Sequence, residues 1–381
     1  MDFRPSRSAA EENLNNFLNN GLFNYSKLRN FDFGPDKRTN ISCLSPYISH
    51  GVINELEVIN GSLKKNSFVK NEKFIQEILW RVYWKGWLEL RPNVWSDYII
   101  DLGKLKLEHI DNKKYLEAIE GKTNINCFNE WVNELKNYNY LHNHTRMWFA
   151  SIWIFTLGLP WQLGAEFFMK YLFDGDSSSN TLGWRWVAGI QTKGKNYVAS
   201  EWNIKKFTNN KFSEIKLNEK PIPIEDERYY PILNNSFQNT SLSNNKDLLI
   251  FDNNICFELS DFYHQSFKTI YFVFNGNKTR KIKLNEKVLD FKKSLINNQI
   301  KYLKNKSLEC IKIDIQDLKD MKDDLLALYP CVGENLDYIK LNSNKNISYL
   351  YRKIDQYSWK YCNKGFFNFK NYIPKIIQEF I

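Results

Sequence analysis

Apolar residues recur at helical spacing through the first half of the chain. Leu14, Phe17 and Leu18 follow a start rich in Ser, Ala and Glu, and a second set repeats at i, i+3, i+4 and i+7 from Ile75 to Val82. Such spacing places apolar side chains along one face of a helix. The pattern therefore predicts an all-helical first half.

After a polar stretch the pattern changes to short β-rich runs. Residues 213–246 contain three prolines and end in NNSFQNTSLSNNK, a composition typical of a linker. Beyond it the runs that predict strands lie at 247–251, 269–274, 309–313 and 337–341, and predicted helices lie at 285–304 and 315–328. This alternation favours a parallel sheet with crossover helices.

These patterns predict a multi-domain α and α/β protein. We expect a helical domain over 1–212, a linker over 213–246 and a smaller, Rossmann-like α/β domain over 247–381. Of the 12 tryptophans, 11 lie between Trp80 and Trp202, so the tryptophans are concentrated in the helical domain.

Composition narrows the class of protein. The six cysteines are scattered, with no C-x-x-C pair and no Cys/His cluster at metal spacing, which predicts reduced thiols, a cytoplasmic location and no metal site. No run of 18 apolar residues occurs, so we expect no membrane partner. The net charge of +10 permits attraction to a nucleic acid, although a Lys- and Asn-rich composition also arises without selection for binding.

One predicted helix carries an unusual polar and aromatic stripe. Within FIQEILWRVYWKGWLELRP (74–92), Glu77, Trp80, Arg81 and Trp84 fall at i, i+3, i+4 and i+7. Two interpretations are open. In one, the charged groups snorkel beside core tryptophans. In the other, the rings form a platform on which a nucleic acid base stacks while Glu77 hydrogen-bonds its edge.

Several motifs carry a resemblance to a known family. They are YSKLRNF (25–31), SCLSPYISHG (42–51), EILWRVYW (77–84), HNHTRM (142–147) and LFDGDSSSNTLGWRWVAG (172–189). In this order they resemble the FAD-binding domain of the DNA photolyase and cryptochrome family, over about half of the chain. The chain looks most like the short photolyase-like branch without an N-terminal α/β domain. The trailing α/β segment would be a transposed counterpart of the family's antenna domain, with an unknown chromophore.

The resemblance implies FAD as cofactor and assigns residues to it. The implied FAD-binding residues are Tyr25, Ser42, Leu44, Ser45, Arg146, Asp174, Asp176 and Asn180. The first four would bind the phosphates through hydroxyl and backbone N–H groups. Arg146 and Asp174 would pair beside the isoalloxazine ring, and Asn180 would face its N5 atom.

The resemblance also assigns residues to DNA and to electron transfer. The positions matching the pocket for a flipped pyrimidine dimer are Glu77, Trp80, Asn143, Met147 and Trp186. Arg29 matches a contact to the DNA backbone, and Arg81 and Trp84 are further candidates for DNA contact. Trp184 and Trp161 match the proximal and middle members of an electron relay, whose third, surface member is not visible near residues 107–114.

The implied function is light-driven repair of DNA by a deoxyribodipyrimidine photo-lyase. Excited, reduced FAD would donate one electron to a cyclobutane dimer, the ring would split, and the electron would return. The expected partner is DNA with pyrimidine dimers, single- or double-stranded, bound by a monomer. Two alternatives stay open: a cryptochrome-like blue-light photoreceptor, and a DNA-binding protein without repair activity, with or without flavin.

Overall fold

The chain begins with an array of helices in the computed structural model, which describes residues 2–234, 236–240 and 246–381. The α-helices of this array are α1 Arg7–Asn20, α2 Tyr25–Leu28, α3 Ser45–Ser49, α4 Glu55–Lys65, α5 Phe68–Glu89, α6 Asn93–Glu108, α7 Lys113–Glu120, α8 Asn126–Tyr138, α9 Asn143–Ser151, α10 Trp161–Tyr171, α11 Ser177–Val187 and α12 Glu201–Phe207. A 3₁₀ turn, Leu22–Asn24, precedes α2, and a π-helical turn, Ile152–Thr156, continues α9. The predicted helical first half is confirmed.

Helix α5 organises the array. Its aliphatic residues Ile75, Leu79 and Val82 are fully buried, as the i, i+4, i+7 spacing predicts. The helix packs against α2, α4 and α11. Neither α5 nor any other helix in the described part of the chain has the length and hydropathy needed to cross a membrane.

A parallel sheet follows the helices. Its elements are β1 Leu248–Ile250, β2 Ile270–Phe274, α13 Glu286–Lys304, β3 Cys310–Asp314, β4 Leu325–Leu328, α14 Glu334–Asn342 and β5 Ile347–Leu350, with 3₁₀ turns at Phe257–Leu259 and Ile315–Asp320. The strand order is β3-β2-β1-β4-β5 and every pairing is parallel. Leu248 in β1 lies opposite both Ile270 and Leu326. This is the order of a doubly wound sheet, so the predicted Rossmann-like fold is confirmed.

Two of the predicted elements are wrong. Residues 337–341, expected as a strand, lie in α14, and residues 315–328, expected as a helix, contain a 3₁₀ turn and then β4. All residues of β4 are buried, so its sequence lacks the alternation that marks a half-exposed strand. The aromatic and β-branched content of DYIKL favours a strand, but one face of α14 is buried through Leu336 and Ile339. Strand β5 was not predicted.

The chain returns to α5 after the sheet. It does so through α15 Lys353–Trp359, α16 Phe366–Lys370 and α17 Ile373–Phe380. A Cβ atom at Gly86 of α5 would lie 2.7 Å from Sγ of Cys362 and closer still to the ring of Trp359, so only glycine permits this approach. Arg352 also donates to Glu55 of α4 at 2.9 Å. One apolar core therefore includes residues from the helices of the first half and residues from the strands of the sheet.

The predicted linker is only partly described. Residues 235 and 241–245 lie outside the described residues. Residues 213–234 form no helix or strand, and they lie along the helical array. Leu233 donates its N–H to the carbonyl of Leu90, and Tyr230 donates to Asp97, both at 2.9 Å. The boundaries at 212 and 246 stay a prediction.

Candidate functional site

The polar stripe of α5 lines a cavity of about 640 Å³. This volume is within the range of cofactor and ligand sites. The sequence-predicted residues that line it are Tyr25, Arg29, Ser42, Leu44, Ser45, Glu77, Trp80, Arg81, Trp84, Asn143, Arg146, Met147, Asp174, Asn180, Trp184 and Trp186. Asp176 and Trp161 are not part of the lining. The segments predicted to meet, around 77–84, 143–147 and 174–186, therefore face one cavity.

Asp176 fixes the start of α11 from outside the cavity. Its Oδ1 accepts hydrogen bonds from the backbone N–H groups of Ser178 at 3.0 Å and Ser179 at 2.8 Å, as an N-cap residue does. Its Oδ2 accepts from Arg81 at 2.7 Å. Burial alone would raise the pKa of Asp176, but Arg81 and then Lys85 lower it overall. Asp176 thus connects α11 to α5, and its predicted contact with the cofactor stays a prediction.

Arg146 and Asp174 form the ion pair that the resemblance implies. Arg146 donates from Nη2 to Oδ2 of Asp174 at 2.9 Å and from Nε to the carbonyl of Leu141 at 2.9 Å. Ser45 donates to the same Oδ2. Oδ1 of Asp174 is buried and accepts no hydrogen bond from any described residue. Because Asp174 lines the cavity, this oxygen is an acceptor that a bound molecule could satisfy.

Asn180 lies on the cavity wall with its amide fixed. Its Nδ2 donates to the backbone carbonyl of Ala165 at 2.8 Å, so its amide oxygen is the atom that remains for the cavity. One turn later, Trp184 reaches the same wall and packs edge-on against Phe168, with 5.0 Å between ring centroids. Trp161 stacks on Tyr98 at 5.3 Å, away from the lining. The relay roles of Trp184 and Trp161 stay a prediction.

Glu77 and Arg29 form a second ion pair in the cavity. Arg29 donates from Nη1 to Oε1 of Glu77 at 2.8 Å, and both side chains are about 30% exposed. Burial raises the pKa of Glu77, and the guanidinium of Arg29 opposes that rise. Trp80 and Trp84 lie beside Glu77 with their ring centroids 4.9 Å apart. A carboxyl group with a raised pKa therefore lies among flat aromatic rings.

The segment SCLS enters the cavity through an unusual backbone conformation. Cys43 has a φ of 50°, in the left-handed region that residues other than glycine rarely adopt. Strain of this kind is often found where backbone groups face a ligand. The turn leads directly into α3 and brings Ser42, Leu44 and Ser45 to the wall of the cavity that Tyr25 also lines.

Further aromatic residues in or behind the cavity wall, among them Tyr140 and Phe366, were not predicted. Tyr140 lines the cavity, and the guanidinium of Arg146 lies 5.0 Å from its ring centroid. Its position just before HNHTRM is a signal that could have found it. Phe366 stacks on Trp80 with 3.5 Å between ring centroids. Nothing in the local sequence around Phe366 indicates this contact.

The helices enclose a cavity that is lined by hydroxyl groups, an Arg–Asp ion pair and a fixed amide. Groups of these kinds are suited to binding a cofactor. Residues 74–215 match the family model described as the FAD binding domain of DNA photolyase. The predicted resemblance to the FAD-binding domain of this family, with FAD as the cofactor, is confirmed over these residues.

Individual relatives are similar to part of the chain. The deoxyribodipyrimidine photo-lyase of Vibrio cholerae is 27% identical over 189 residues, which are 48% of this chain and 39% of that protein. Among solved structures, a class III photolyase from Agrobacterium tumefaciens is 24% identical over 54% of this chain and 43% of its own, with a TM-score of 0.46. A cryptochrome from Synechocystis is 22% identical over 55% and 44%, with a TM-score of 0.47. The chain thus spans about two fifths of the length of the Vibrio cholerae protein.

Proposed function

We propose that this protein uses light to split cyclobutane pyrimidine dimers in DNA. The observation that carries the proposal is that the five candidate lesion residues line the same cavity as the candidate FAD residues. The lesion set is Glu77, Trp80, Asn143, Met147 and Trp186. One cavity could thus hold a flavin ring and an extruded lesion within electron-transfer reach.

The cofactor side of the cavity is polar and preorganised. The hydroxyl groups of Tyr25, Ser42 and Ser45 would bind the phosphates of FAD. Oδ1 of Asp174 would accept a hydrogen bond from the cofactor. The amide oxygen of Asn180 would accept from the flavin ring at N5. FAD, when bound and reduced, supplies one-electron transfer driven by light.

The lesion side of the cavity would combine aromatic rings with a few polar groups. Trp80 and Trp186 would exclude water and pack against the extruded bases, and Asn143 and Met147 would complete the pocket. Burial raises the pKa of Glu77, and its carboxyl group would hydrogen-bond a dimer carbonyl and stabilise negative charge that develops there. Arg29 would keep that carboxyl oriented through the hydrogen bond that it donates to Oε1.

DNA with pyrimidine dimers, single- or double-stranded, is the proposed partner of a monomer. The net charge of +10 favours a polyanion. Arg29, Arg81 and Trp84 line the cavity and would contact the strand around the lesion. We also propose that the division into 1–212, 213–246 and 247–381 reflects a rearranged domain order. The doubly wound strand order of the α/β part supports a transposed counterpart of the antenna domain.

The test is a repair assay on flavin-loaded protein. A single-stranded oligonucleotide with one thymine dimer is irradiated with blue light, and the recovery of thymine absorbance is followed, with a dark control. Glu77→Ala should slow repair about 100-fold, because removal of one preorganised donor typically costs that much. Glu120→Ala is the control, since Glu120 lies at the surface at the end of α7, pairs with Lys122 and does not line the cavity.

The flavin absorbance spectrum of each variant is recorded to check whether the cofactor is retained. Absence of light-dependent repair by flavin-loaded wild-type protein would contradict the proposal. A light-dependent change in partner binding without repair would favour a cryptochrome-like photoreceptor. Failure to retain flavin through gel filtration would favour a DNA-binding module that has lost its cofactor.

A further inference from the structure

A ring from the C-terminal end of the chain covers one face of Trp80. The ring centroids of Phe366 and Trp80 are 3.5 Å apart and their planes differ by only 10°. Phe366 is 5% exposed and does not line the cavity, whereas Trp80 does. One face of the indole is therefore packed against Phe366, while another part of the same side chain lines the cavity.

The segment that carries Phe366 is fixed along α5. The carbonyl of Asn363 accepts from Arg91 at 2.8 Å, and the carbonyl of Lys364 accepts from the hydroxyl of Tyr83 at 2.9 Å. At the other end, Lys370 pairs with Glu72 at 3.1 Å. Residues 363–370 thus run antiparallel to α5, past the part of the helix that lines the cavity.

We propose that Phe366 is a positioning residue that holds Trp80 as a flat wall for the lesion, and this inference rests on the proposed function. Trp80 also meets Tyr83 edge-on, with 5.5 Å between centroids, and Trp84 at 4.9 Å. With Phe366 behind it, the indole has little freedom to rotate. A side chain that is already fixed loses less conformational entropy when a base stacks on it, so affinity for the lesion is higher.

The inference separates two kinds of binding. Undamaged DNA contacts the protein surface and its charges, whereas an extruded dimer also uses the face of Trp80. Loss of the flat support should therefore weaken binding of the dimer and leave binding of undamaged DNA and of flavin unchanged. A role of Phe366 in stability alone would not produce this selective loss.

The experiment compares four proteins: wild type, Phe366→Leu, Phe366→Tyr and Phe369→Leu. Phe369 is the matched control, because it lies on the same helix, is fully buried and packs on Tyr83 with 5.5 Å between centroids. Binding of a labelled single strand with one thymine dimer, and of the same strand without it, is measured by fluorescence anisotropy in the dark. Phe366→Leu should weaken dimer binding about tenfold, and Phe366→Tyr should restore it.

A double-mutant comparison makes the test specific. In a Trp80→Ala background, Phe366→Leu should cause no further loss of dimer affinity, since the ring that it supports is gone. Phe366→Met, which fills the space without a flat face, takes the same test if the leucine variant does not fold.

The outcomes separate this inference from the proposed function. If the wild type bound the dimer-containing strand and the undamaged strand with equal affinity, both the proposed function and this inference would be contradicted. Selective binding by the wild type together with an unchanged Phe366→Leu, or with an equal loss in Phe369→Leu, would overturn the role of Phe366 alone.

Discussion

Gly86 lies at a close approach between α5 and the C-terminal helices, so Gly86→Ala tests how tightly the two parts are joined. A Cβ atom there would lie 2.7 Å from Sγ of Cys362 and closer still to the ring of Trp359. Trp359 is 1% exposed and Cys362 is fully buried. Neither side chain can move into solvent, so relief requires a shift of α15 relative to α5.

Two opposing effects set the magnitude. Alanine is favoured over glycine within a helix by about 1 kcal/mol. Overpacking of a close-packed core costs about 1–3 kcal/mol, and the buried contacts around Gly86 favour the upper end. We therefore expect Gly86→Ala to lower the free energy of unfolding by roughly 2 kcal/mol.

Urea denaturation measures this change, and Gly103→Ala is the control. Gly103 lies within α6 and a Cβ atom there would meet nothing within 4 Å, so only the helical preference applies and stability should rise by about 0.5–1 kcal/mol. A Gly86→Ala protein as stable as the wild type, or more stable, would refute the close contact between α5 and α15.

Two further predictions concern buried charges. Asp174→Asn removes the ion-pair partner of Arg146, so we expect the dissociation constant of FAD to rise about tenfold, measured by flavin release; unchanged retention would contradict the role of the pair. Glu55→Gln tests the contact with Arg352: although burial opposes ionisation, Arg352 and then Lys85 hold the pKa of Glu55 at about 2, below its usual 4.5. A carboxyl group whose pKa is lowered in the folded protein stabilises the fold at pH values above its pKa in the unfolded chain. This stabilisation is lost as the pH falls towards the pKa in the folded protein. Glu55→Gln should therefore lower the free energy of unfolding by roughly 3 kcal/mol at neutral pH, and by progressively less from about pH 4.5 down to 2. Urea denaturation at several pH values measures this change. An equal loss of stability across the range would be inconsistent with the prediction.

Helical periodicity made much of the site predictable. Glu77, Trp80, Arg81 and Trp84 share one side of α5 because the helix repeats every 3.6 residues, and the cavity does lie on that side. Each of the other predicted segments also lies on or beside a single helix. The lining could therefore be predicted as a set of residues, although their mutual distances could not.

The Arg146–Asp174 pair was implied by the resemblance, but the other ion pairs of the site were not predicted. The sequence places Arg29 and Glu77 in separate motifs, and only the fold brings them within 2.8 Å. Asp176 likewise resembles a cofactor ligand in sequence, yet its carboxylate is used by the N-terminus of α11 and by Arg81. Side chains of equal chemical type can serve a ligand or a neighbouring helix, and the choice depends on tertiary geometry.

The C-terminal contribution to the site shows where local pattern fails. Tyr83 and Lys364 are separated by 281 residues, and no periodicity records such a contact. Helix α5 nevertheless explains why the two parts meet at the cavity. Gly86 and Tyr83 lie three residues apart on the side that faces the C-terminal helices, while Glu77 and Arg81 face the cavity. Trp80 lies between these two sides and contacts both, so packing of the C-terminal segment and the shape of the proposed lesion wall depend on the same indole ring.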